Sequence, residues 1–271
     1  MKLENALLVY WKDWTEVKRN WQVILPIILV PLLISVFLPV ILFVASGYGD
    51  SSSTGNLEVL IENLPPNIQA ELAGMSVRQV MLYATSLYLF APFFLIIPIM
   101  ASSVIASDSF AGEKERKTIE GLLATPLTDS ELILGKILVS FVPSMIVTIL
   151  AFVAYSASVD VLGYGIYGRL LLPNVNWLML VLGLSPILSL AAIGLTVIVS
   201  AKVKGFREAQ QISILLILPV LGLLFAQGAG LMILGPVVII ELVVLFTVMD
   251  VIVFRIGVSL FQREEMVSKT S

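Results

Sequence analysis

The sequence predicts an all-α, polytopic membrane protein with six transmembrane helices, an N-terminal interfacial amphipathic helix and a cytosolic helix between spans two and three. Three observations support this prediction. The 271 residues are 58% hydrophobic and 13% charged, with a mean hydropathy of +1.01, whereas soluble globular proteins carry about 25% charged residues. Several apolar runs are long enough to cross a bilayer. The basic residues are concentrated on one side of these runs.

The spans follow from the length of the apolar runs, because a helix needs about 20 apolar residues to cross the hydrocarbon layer. Four runs meet this length, and a last block at 209–260 is too long for one crossing and is interrupted around 227–230 and 235–236. Two crossings fit that block at 1.5 Å rise per residue. The fifth span is short, so a partly re-entrant segment between spans five and six remains an alternative. The predicted spans cover roughly residues 22–45, 81–107, 132–157, 177–200, 209–227 and 231–256.

The basic residues predict the orientation of the chain. Six spans place both termini on one side, and fourteen of the sixteen Lys and Arg residues lie there. The other side has only Arg78 and Arg169. Cytoplasmic loops carry the excess of basic residues, so we expect a multi-pass protein of the cell membrane with both termini in the cytoplasm. Residues 46–80 and 158–176 are then extracytoplasmic loops.

The segment before the first span has the pattern of an amphipathic helix. Apolar residues recur at steps of four and three, and polar residues occupy the other faces. Such a helix, with aromatic anchors, is suited to lie along the inner leaflet. The alternative is a cytoplasmic helix that packs on the protein itself. The apolar positions are Leu3, Leu7, Tyr10, Trp14, Val17 and Trp21.

Several function classes are excluded by composition. The chain has no Cys and no His, which removes disulfides, thiol nucleophiles and histidine-based metal sites or bases. We therefore predict no catalytic residue and no metal site. A net charge of −3 gives no argument for a nucleic-acid partner. Ionisable residues within spans are functional candidates, and Glu241 and Asp250 in the last span are the two that stand out. Both could bind a cation in transit. Alternatively, Glu241 lies at the outer membrane boundary, and Asp250 interacts with Arg255 or lies close to the inner interface.

Residues 107–131, which we call the coupling segment, form a charged connector between spans two and three. We expect the second span to continue into it as a helix, with Glu113 and Lys117 at favourable i,i+4 spacing. An apolar patch of Ile119, Leu122 and Leu123 lies on this helix, which the Thr125-Pro126 pair then ends. Thr128 and Glu131 have capping-box spacing for the start of span three. The patch either docks a partner protein or belongs to an ordinary solvated loop.

The pattern Glu113-Lys-Glu-Arg-x-Thr118-Ile-Glu-x-Leu122-Leu-x-Thr-Pro126, followed by Glu131 and Gly135-Lys136, closely resembles permease subunits of the type-2 ATP-binding-cassette exporter family. Its wording is most similar to the sodium-efflux branch. The six spans and the amphipathic N-terminus are also similar, so the resemblance covers the whole chain. Two features depart from the family pattern. Many members have a glycine where this chain has Lys117, and the stretch between spans five and six is brief.

The resemblance implies a permease that pairs with a second copy or a homologous permease in the bilayer and binds two ATP-hydrolysing subunits. ATP and magnesium would belong to the ATPase. The sequence is consistent with this expectation, because it contains no Gly-x-x-x-x-Gly-Lys-Ser/Thr motif, which binds the phosphates of a nucleotide. Gly135-Lys136 is followed by Ile137 and not by Ser or Thr. The alternatives are an ion-coupled secondary transporter or channel, an intramembrane enzyme, and a non-transporting scaffold. The coupling helix implied by the resemblance would dock on the ATPase through Glu113, Lys114, Glu115, Arg116, Thr118, Glu120, Leu122, Leu123 and Pro126.

Overall fold

The computed structural model describes residues 2–46, 72, 74–118, 121, 125–203, 205–229 and 232–260, and within these ranges it contains helices and no strands. Seven long helices account for most of the described chain. They are α1 (Leu3–Val17), α2 (Trp21–Ala45), α3 (Val77–Glu115), α4 (Asp129–Tyr167), α5 (Val175–Lys202), α6 (Phe206–Gly228) and α7 (Pro236–Leu260).

Helices α2 to α7 are each long and apolar enough to cross a membrane. The predicted all-α class with six candidate membrane-spanning helices is therefore confirmed. Helix α3 is the centre of the bundle, since it packs against α2, α4, α5 and α6 and buries almost every side chain between Ala91 and Gly112. Helices α6 and α7 lie at the periphery and expose most of their apolar surface.

The bundle has two ends. We call one the inner end, where α2, α4 and α6 begin and α3 and α5 end. At the opposite end the core is aromatic. Trp177 stacks on Tyr155 at 4.6 Å between ring centroids, and its indole N–H donates to the carbonyl of Leu87 over 3.0 Å. The hydroxyl of Tyr155 donates to the carbonyl of Ser86 over 2.6 Å. These bonds satisfy the polar groups of the buried rings.

One connection differs from the sequence prediction, and two others lie partly outside the described residues. Helix α4 continues to Tyr167, so residues 158–167 of the expected loop are helical. The chain leaves the helix at Gly168, whose φ of +66° is a left-handed value that glycine adopts without strain. Between α6 and α7, residues 230 and 231 lie outside the described residues, as do residues 47–71 and 73 of the first expected loop.

Helix α1 exists as predicted, but its buried face coincides only in part with the predicted apolar face. Val17 of that face is buried, and Tyr10 and Trp14 are partly buried against the same cluster. The helix packs against α4 and buries Ala6, Val9, Asp13 and Val17. The alternative of a helix packed on the protein itself is therefore observed on this side. On the other side a strip of large apolar residues is exposed and faces away from the bundle, consisting of Leu3, Leu7, Leu8 and Trp11.

Candidate functional site

The site at the inner end lies where four segments meet: α1, the last turns of α3, the first turns of α4 and the link from α5 to α6. The last turns of α3 and the first turn of α4 belong to the coupling segment. Helix α3 ends in a π-helical turn, Asp108–Gly112, followed by one short α-helical turn. Such π-turns inside long helices are frequent at functional sites. All five residues of the π-helical turn are buried.

Gly135 allows α1 to approach α4 closely. A Cβ atom at this position would lie 2.6 Å from the carbonyl oxygen of Ala6 and 2.6 Å from the Cβ of Val9. Since the first of these atoms is backbone, it cannot move without displacing the helix. The missing side chain at Gly135 therefore brings α1 into contact with the turn of α4 that carries Lys136.

Lys136 is the central residue of the site. Its side chain is 1% exposed, although it begins the apolar part of a membrane-spanning helix. The Nζ atom lies 2.6 Å from Glu113 Oε2, 3.2 Å from Asp13 Oδ2 and 2.5 Å from the carbonyl oxygen of Ser109. It also lies 5.4 Å from the centre of the Phe110 ring. A buried ammonium group needs several partners, because leaving it unpaired costs roughly several kcal/mol in lost hydration.

Lys12 supplies a second positive charge to the same two carboxylates. Its Nζ contacts Glu113 and lies 3.1 Å from Asp13 Oδ1. It also lies 3.2 Å from Glu16, one turn further along α1. Two lysines and two buried carboxylates therefore balance each other. We call Lys12, Asp13, Glu113 and Lys136 the charge cluster.

The pKa values of Asp13 and Lys12 reflect this balance of charges. Burial works to raise the pKa of Asp13, but the charge of Lys136, the hydrogen bond from the Ser109 hydroxyl and the nearby Lys12 outweigh it, and the pKa is lowered. Burial works to lower the pKa of Lys12, but the hydrogen bond to Glu113 and the attraction of Asp13 and Glu113 outweigh it, and the pKa is raised. Asp13 and Lys12 are therefore both charged at neutral pH.

A second ion pair lies within the end of α3, and a hydrogen bond from Asn20 joins it to the α1–α2 link. Arg116 donates to Asp108 Oδ1 over 2.9 Å and lies 3.7 Å from Glu16. The side-chain amide of Asn20 donates to the same Asp108 oxygen over 3.0 Å. Gly112 lies between the two partners, since a Cβ there would be 2.9 Å from Asp108 Oδ1 and 3.1 Å from the Arg116 guanidinium.

The end of α3 differs from the sequence prediction. The amide of Thr118 donates to the carbonyl of Glu113 and that of Lys117 to Lys114, which is the hydrogen-bond pattern of a Schellman motif. Lys117 has a φ of +57°, a left-handed value normally taken by glycine. The helix therefore ends at this point and does not continue to Thr125. Glu113 pairs with Lys12 and Lys136 instead of the expected Lys117.

Two other residues of the coupling segment hold the link between α5 and α6. Lys114 donates to the carbonyl of Val203 over 3.0 Å, at the C-terminus of α5. Glu115 accepts from the amide of Phe206 over 2.9 Å, where it caps the N-terminus of α6. A Cβ at Gly205 would lie 2.5 Å from this carboxylate, so only glycine leaves room for the contact.

The start of α4 is fixed as predicted. Thr128 and Glu131 form the expected capping box. The carboxylate of Glu131 also accepts from the backbone amide of Lys2 over 2.6 Å and from the side chain of Asn5 over 3.2 Å. Glu131 therefore caps α4 and anchors the first turn of α1 at once.

The remaining predicted site residues are separate from the charge cluster. Pro126 is exposed, and Glu120, Leu122 and Leu123 lie outside the described residues, as does Ile119. In α7, Glu241 is exposed and Asp250 is partly buried. The Oδ1 atom of Asp250 is buried without a hydrogen-bond partner among the described residues. The structure does not bring Glu241 or Asp250 to the inner-end site.

Sequence reasoning missed most of the charge cluster. The amphipathic pattern predicts Asp13 on a polar face of α1. Lys136 enters the prediction as one of the basic residues that indicate orientation and as part of the motif that resembles the exporter family. One signal was available: Lys136 lies within an otherwise apolar run from 132 to 139, and ionisable residues in such runs are usually paired. Asp13 falls on the helical repeat of Val9 and Val17, which also pointed to a buried position.

The comparisons with known proteins agree with this architecture. A family model described as ABC-2 family transporter protein matches residues 7–239. This range includes most of α1, the whole coupling segment and the first five membrane-spanning helices. A search among curated proteins finds no match.

Proposed function

Because the chain belongs to the ABC-2 transporter family, we propose that it is the transmembrane permease subunit of an ATP-binding-cassette exporter, driven by ATP hydrolysis on separate subunits. The observation that supports this proposal is the set of buried and partly buried contacts that fastens the coupling segment to three parts of the bundle. Glu113 connects it to α1 and α4, and Lys114 and Glu115 connect it to the α5–α6 link.

The contacts of the coupling segment suit it to transmit force. A displacement of the Glu113 turn acts on Lys136 in α4 through an ion pair that is buried on both sides, and separating this pair would leave two buried charges unpaired at a large cost. It also acts on Lys12 in α1, whose side chain is partly exposed. The same displacement acts on α6 through the cap on Phe206. A ligand shifts a conformational equilibrium only by binding one state more tightly. In this proposal ATP favours the closed state of the ATPase pair, and the coupling segment carries that preference into the membrane.

In this proposal the coupling residues have two roles: some hold the segment in place, and the others face the ATPase. Glu113, Lys114, Glu115, Arg116 and Thr118 make contacts within the chain, so they hold the segment in place. The second group, Glu120, Leu122, Leu123 and Pro126, supplies the surface on which the ATPase docks. In this arrangement ATP and magnesium are bound by the ATPase. The inner end faces the cytoplasm of the cell, and a second copy or a homologous permease completes the pathway.

For the substrate we propose sodium, because the coupling motif resembles the sodium-efflux branch. Asp250 and Glu241 are the carboxylates in α7 that are available to a cation in transit. Asp250 is the better candidate, since its Oδ1 atom is buried without a hydrogen-bond partner among the described residues. A sodium efflux assay on Asp250→Asn, with Thr247→Val on the same helix as the control, tests this assignment. Equal efflux by wild type and Asp250→Asn contradicts it.

Co-purification from native membranes tests the proposed function. We expect an ATPase subunit to accompany the wild-type chain and to be lost on Leu122→Asp. Leu170→Asp is the matched control, because Leu170 is exposed at the opposite end of the bundle and its replacement should leave the complex intact. Retention of the ATPase by Leu122→Asp contradicts the docking surface. Transport by the chain alone, driven by an ion gradient, would establish the secondary transporter or channel instead.

A further inference from the structure

Helix α1 contacts the coupling segment at both of its ends. At one end, where α3 stops, Lys12 of α1 pairs with Glu113. At the other end, where α4 starts, the carboxylate of Glu131 accepts from the backbone amide of Lys2 over 2.6 Å and from the side-chain amide of Asn5 over 3.2 Å. One short helix therefore joins the point where the segment leaves the bundle to the point where it returns.

The two contact points lie on one face of α1. Asn5 and Lys12 are seven positions apart, which is close to two full turns and about 10 Å at a rise of 1.5 Å per residue. Val9 lies between them and is 3% exposed. It belongs to one buried cluster with Phe110 at the end of α3 and Leu132 at the start of α4. Helix α1 therefore packs against both ends of the segment in addition to bonding to each of them.

The other connections between the two ends leave their separation less closely defined. Glu131 lies 18 positions after Glu113, and an extended chain of that length reaches about 60 Å. Lys136 connects α4 to α3 directly, but a single contact in the second turn of α4 lets the first turn move about it. The bonds from Glu131 to α1 remove this freedom. Because backbone hydrogen bonds fix the rise per residue of a helix, the spacing along α1 then sets the separation of the two ends.

The contacts at the two ends are coupled to the rest of the site. The Oε2 atom of Glu131 also accepts from the amide of Thr128 over 3.0 Å, so the first turn of α4 cannot leave α1 without losing an acceptor that its own cap uses. At the other end, Glu113 is shared between Lys12 and Lys136. A displacement of Glu113 therefore reaches the start of α4 by two routes, directly through Lys136 and along α1.

We propose that α1 is a positioning element for the coupling segment. It fixes the separation of Glu113 and Glu131, and through this separation it orients the surface that docks the ATPase. Lys12 and Asn5 are the positioning residues, one at each end. The docking consequence rests on the proposed function, whereas the fixed separation is a property of the chain alone and is measured without a partner.

Distances between two spin labels test the fixed separation in the purified full-length chain in detergent. Because the chain has no cysteine, the labels can be attached at Lys117→Cys and Ser130→Cys, where both residues are exposed near the two ends. We expect one narrow distribution of distances. The double variant Asn5→Ala with Lys12→Met should raise the fraction of molecules outside this distribution about fivefold, which is the effect of losing one hydrogen bond.

Three controls separate positioning from a general loss of stability. A second label pair, at Val161→Cys and Leu170→Cys, lies at the opposite end of the bundle, where both residues are exposed, and its distances should not change. Glu4→Ala with Lys18→Met alters two exposed residues of α1 and should leave both label pairs unaffected. Lys12→Arg keeps the positive charge and should retain the narrow distribution.

Co-purification from native membranes tests the docking consequence, and we expect the double variant to retain about fivefold less ATPase than wild type. Three results would overturn the proposal: unchanged distances between the labels at 117 and 130, equal broadening of both label pairs, or full retention of the ATPase by the double variant where Leu122→Asp loses it. Absence of an ATPase from the wild-type preparation would contradict the proposed function instead. The spin-label distances would then still decide whether α1 fixes the separation.

Discussion

The Nζ atom of Lys136 and the Oε2 atom of Glu113 lie 2.6 Å apart, and each side chain is 1% exposed. This ion pair connects Glu113, in the coupling segment at the end of α3, to the second turn of α4. Neither residue is isolated, because Asp13 and Lys12 complete the charge cluster. The charge cluster therefore joins α1, α3 and α4.

Lys136→Met should destabilise the protein strongly. The substitution leaves Glu113 and Asp13 buried with one cation between them, and removal of one partner of a buried pair costs about 3–5 kcal/mol. The apparent melting temperature in detergent measures the loss. Lys202→Met is the control, since Lys202 is exposed at the end of α5 and should change stability by no more than about 0.5 kcal/mol. The double variant Lys136→Met with Glu113→Gln should lose less than the two single variants added together; strict additivity would show that the pair is not coupled.

Gly135→Ala should displace α1 from the bundle. The added Cβ meets the backbone of Ala6 at 2.6 Å, and overpacking of this kind costs about 1–3 kcal/mol. Because the chain has no cysteine, an Ala6→Cys reporter can measure the displacement by its reactivity to a water-soluble maleimide. We expect slow labelling in the Gly135 background and fast labelling with Gly135→Ala. Gly222→Ala is the control, as a Cβ there meets no atom within 4 Å, and similar labelling in all three would refute the close-contact argument.

Lys117→Gly should stabilise the end of α3. The left-handed conformation at φ +57° costs a non-glycine residue about 1–2 kcal/mol, and glycine avoids this cost. Part of the resulting gain in stability is offset, because glycine has a larger backbone entropy in the unfolded chain. A net gain of about 0.5–1 kcal/mol follows. Lys18→Gly is the matched control, because Lys18 ends α1 with a right-handed φ of −63° and should lose stability instead. If both variants shift the melting temperature in the same direction, the left-handed geometry is not the cause.

Glu115→Ala should loosen the first turn of α6. The amide of Phe206 loses its charged acceptor, and loss of a helix cap costs about 1 kcal/mol. Hydrogen exchange measured by mass spectrometry should therefore speed up about fivefold at the start of α6. Glu4→Ala, in the exposed first turn of α1, should leave exchange in α6 unchanged. Unaltered exchange in Glu115→Ala would mean that the cap contributes nothing to the stability of α6.

Stability should depend on pH through Asp13 and Lys12. The pKa of Asp13 is lowered in the folded protein, so its contribution is present above the ordinary value of 3.8 and is lost as the pH falls through the folded value. The pKa of Lys12 is raised, so its contribution is present below 10.5 and is lost as the pH rises through the folded value. Melting temperatures from pH 3 to pH 7 should fall on the acid side for wild type and fall less for Asp13→Asn. Parallel curves would exclude Asp13 as the group responsible.

The helical class of the protein and its six candidate membrane-spanning helices could be predicted from the amino-acid sequence alone. Both depend on local properties, since a crossing needs only a continuous apolar run of sufficient length. The capping box at Thr128 and Glu131 could be predicted in the same way, because its two residues are three positions apart and bond within one helical turn. The resemblance to the exporter family likewise rested on residues in fixed register along one short segment.

The pairing of the buried charges could not be predicted in this way, because it depends on how the helices pack. Asp13 and Lys136 are 123 positions apart, and no local pattern shows that they pair. Their contact depends on the close approach of α1 to α4 at Gly135, and on the left-handed turn at Lys117 that ends α3 and leaves Glu113 to Lys12 and Lys136. An ion pair between helices is fixed by the packing of both backbones, and that packing is a property of the whole bundle. Hydrophobic periodicity records which side of a helix is apolar, but it does not record which helix covers that side.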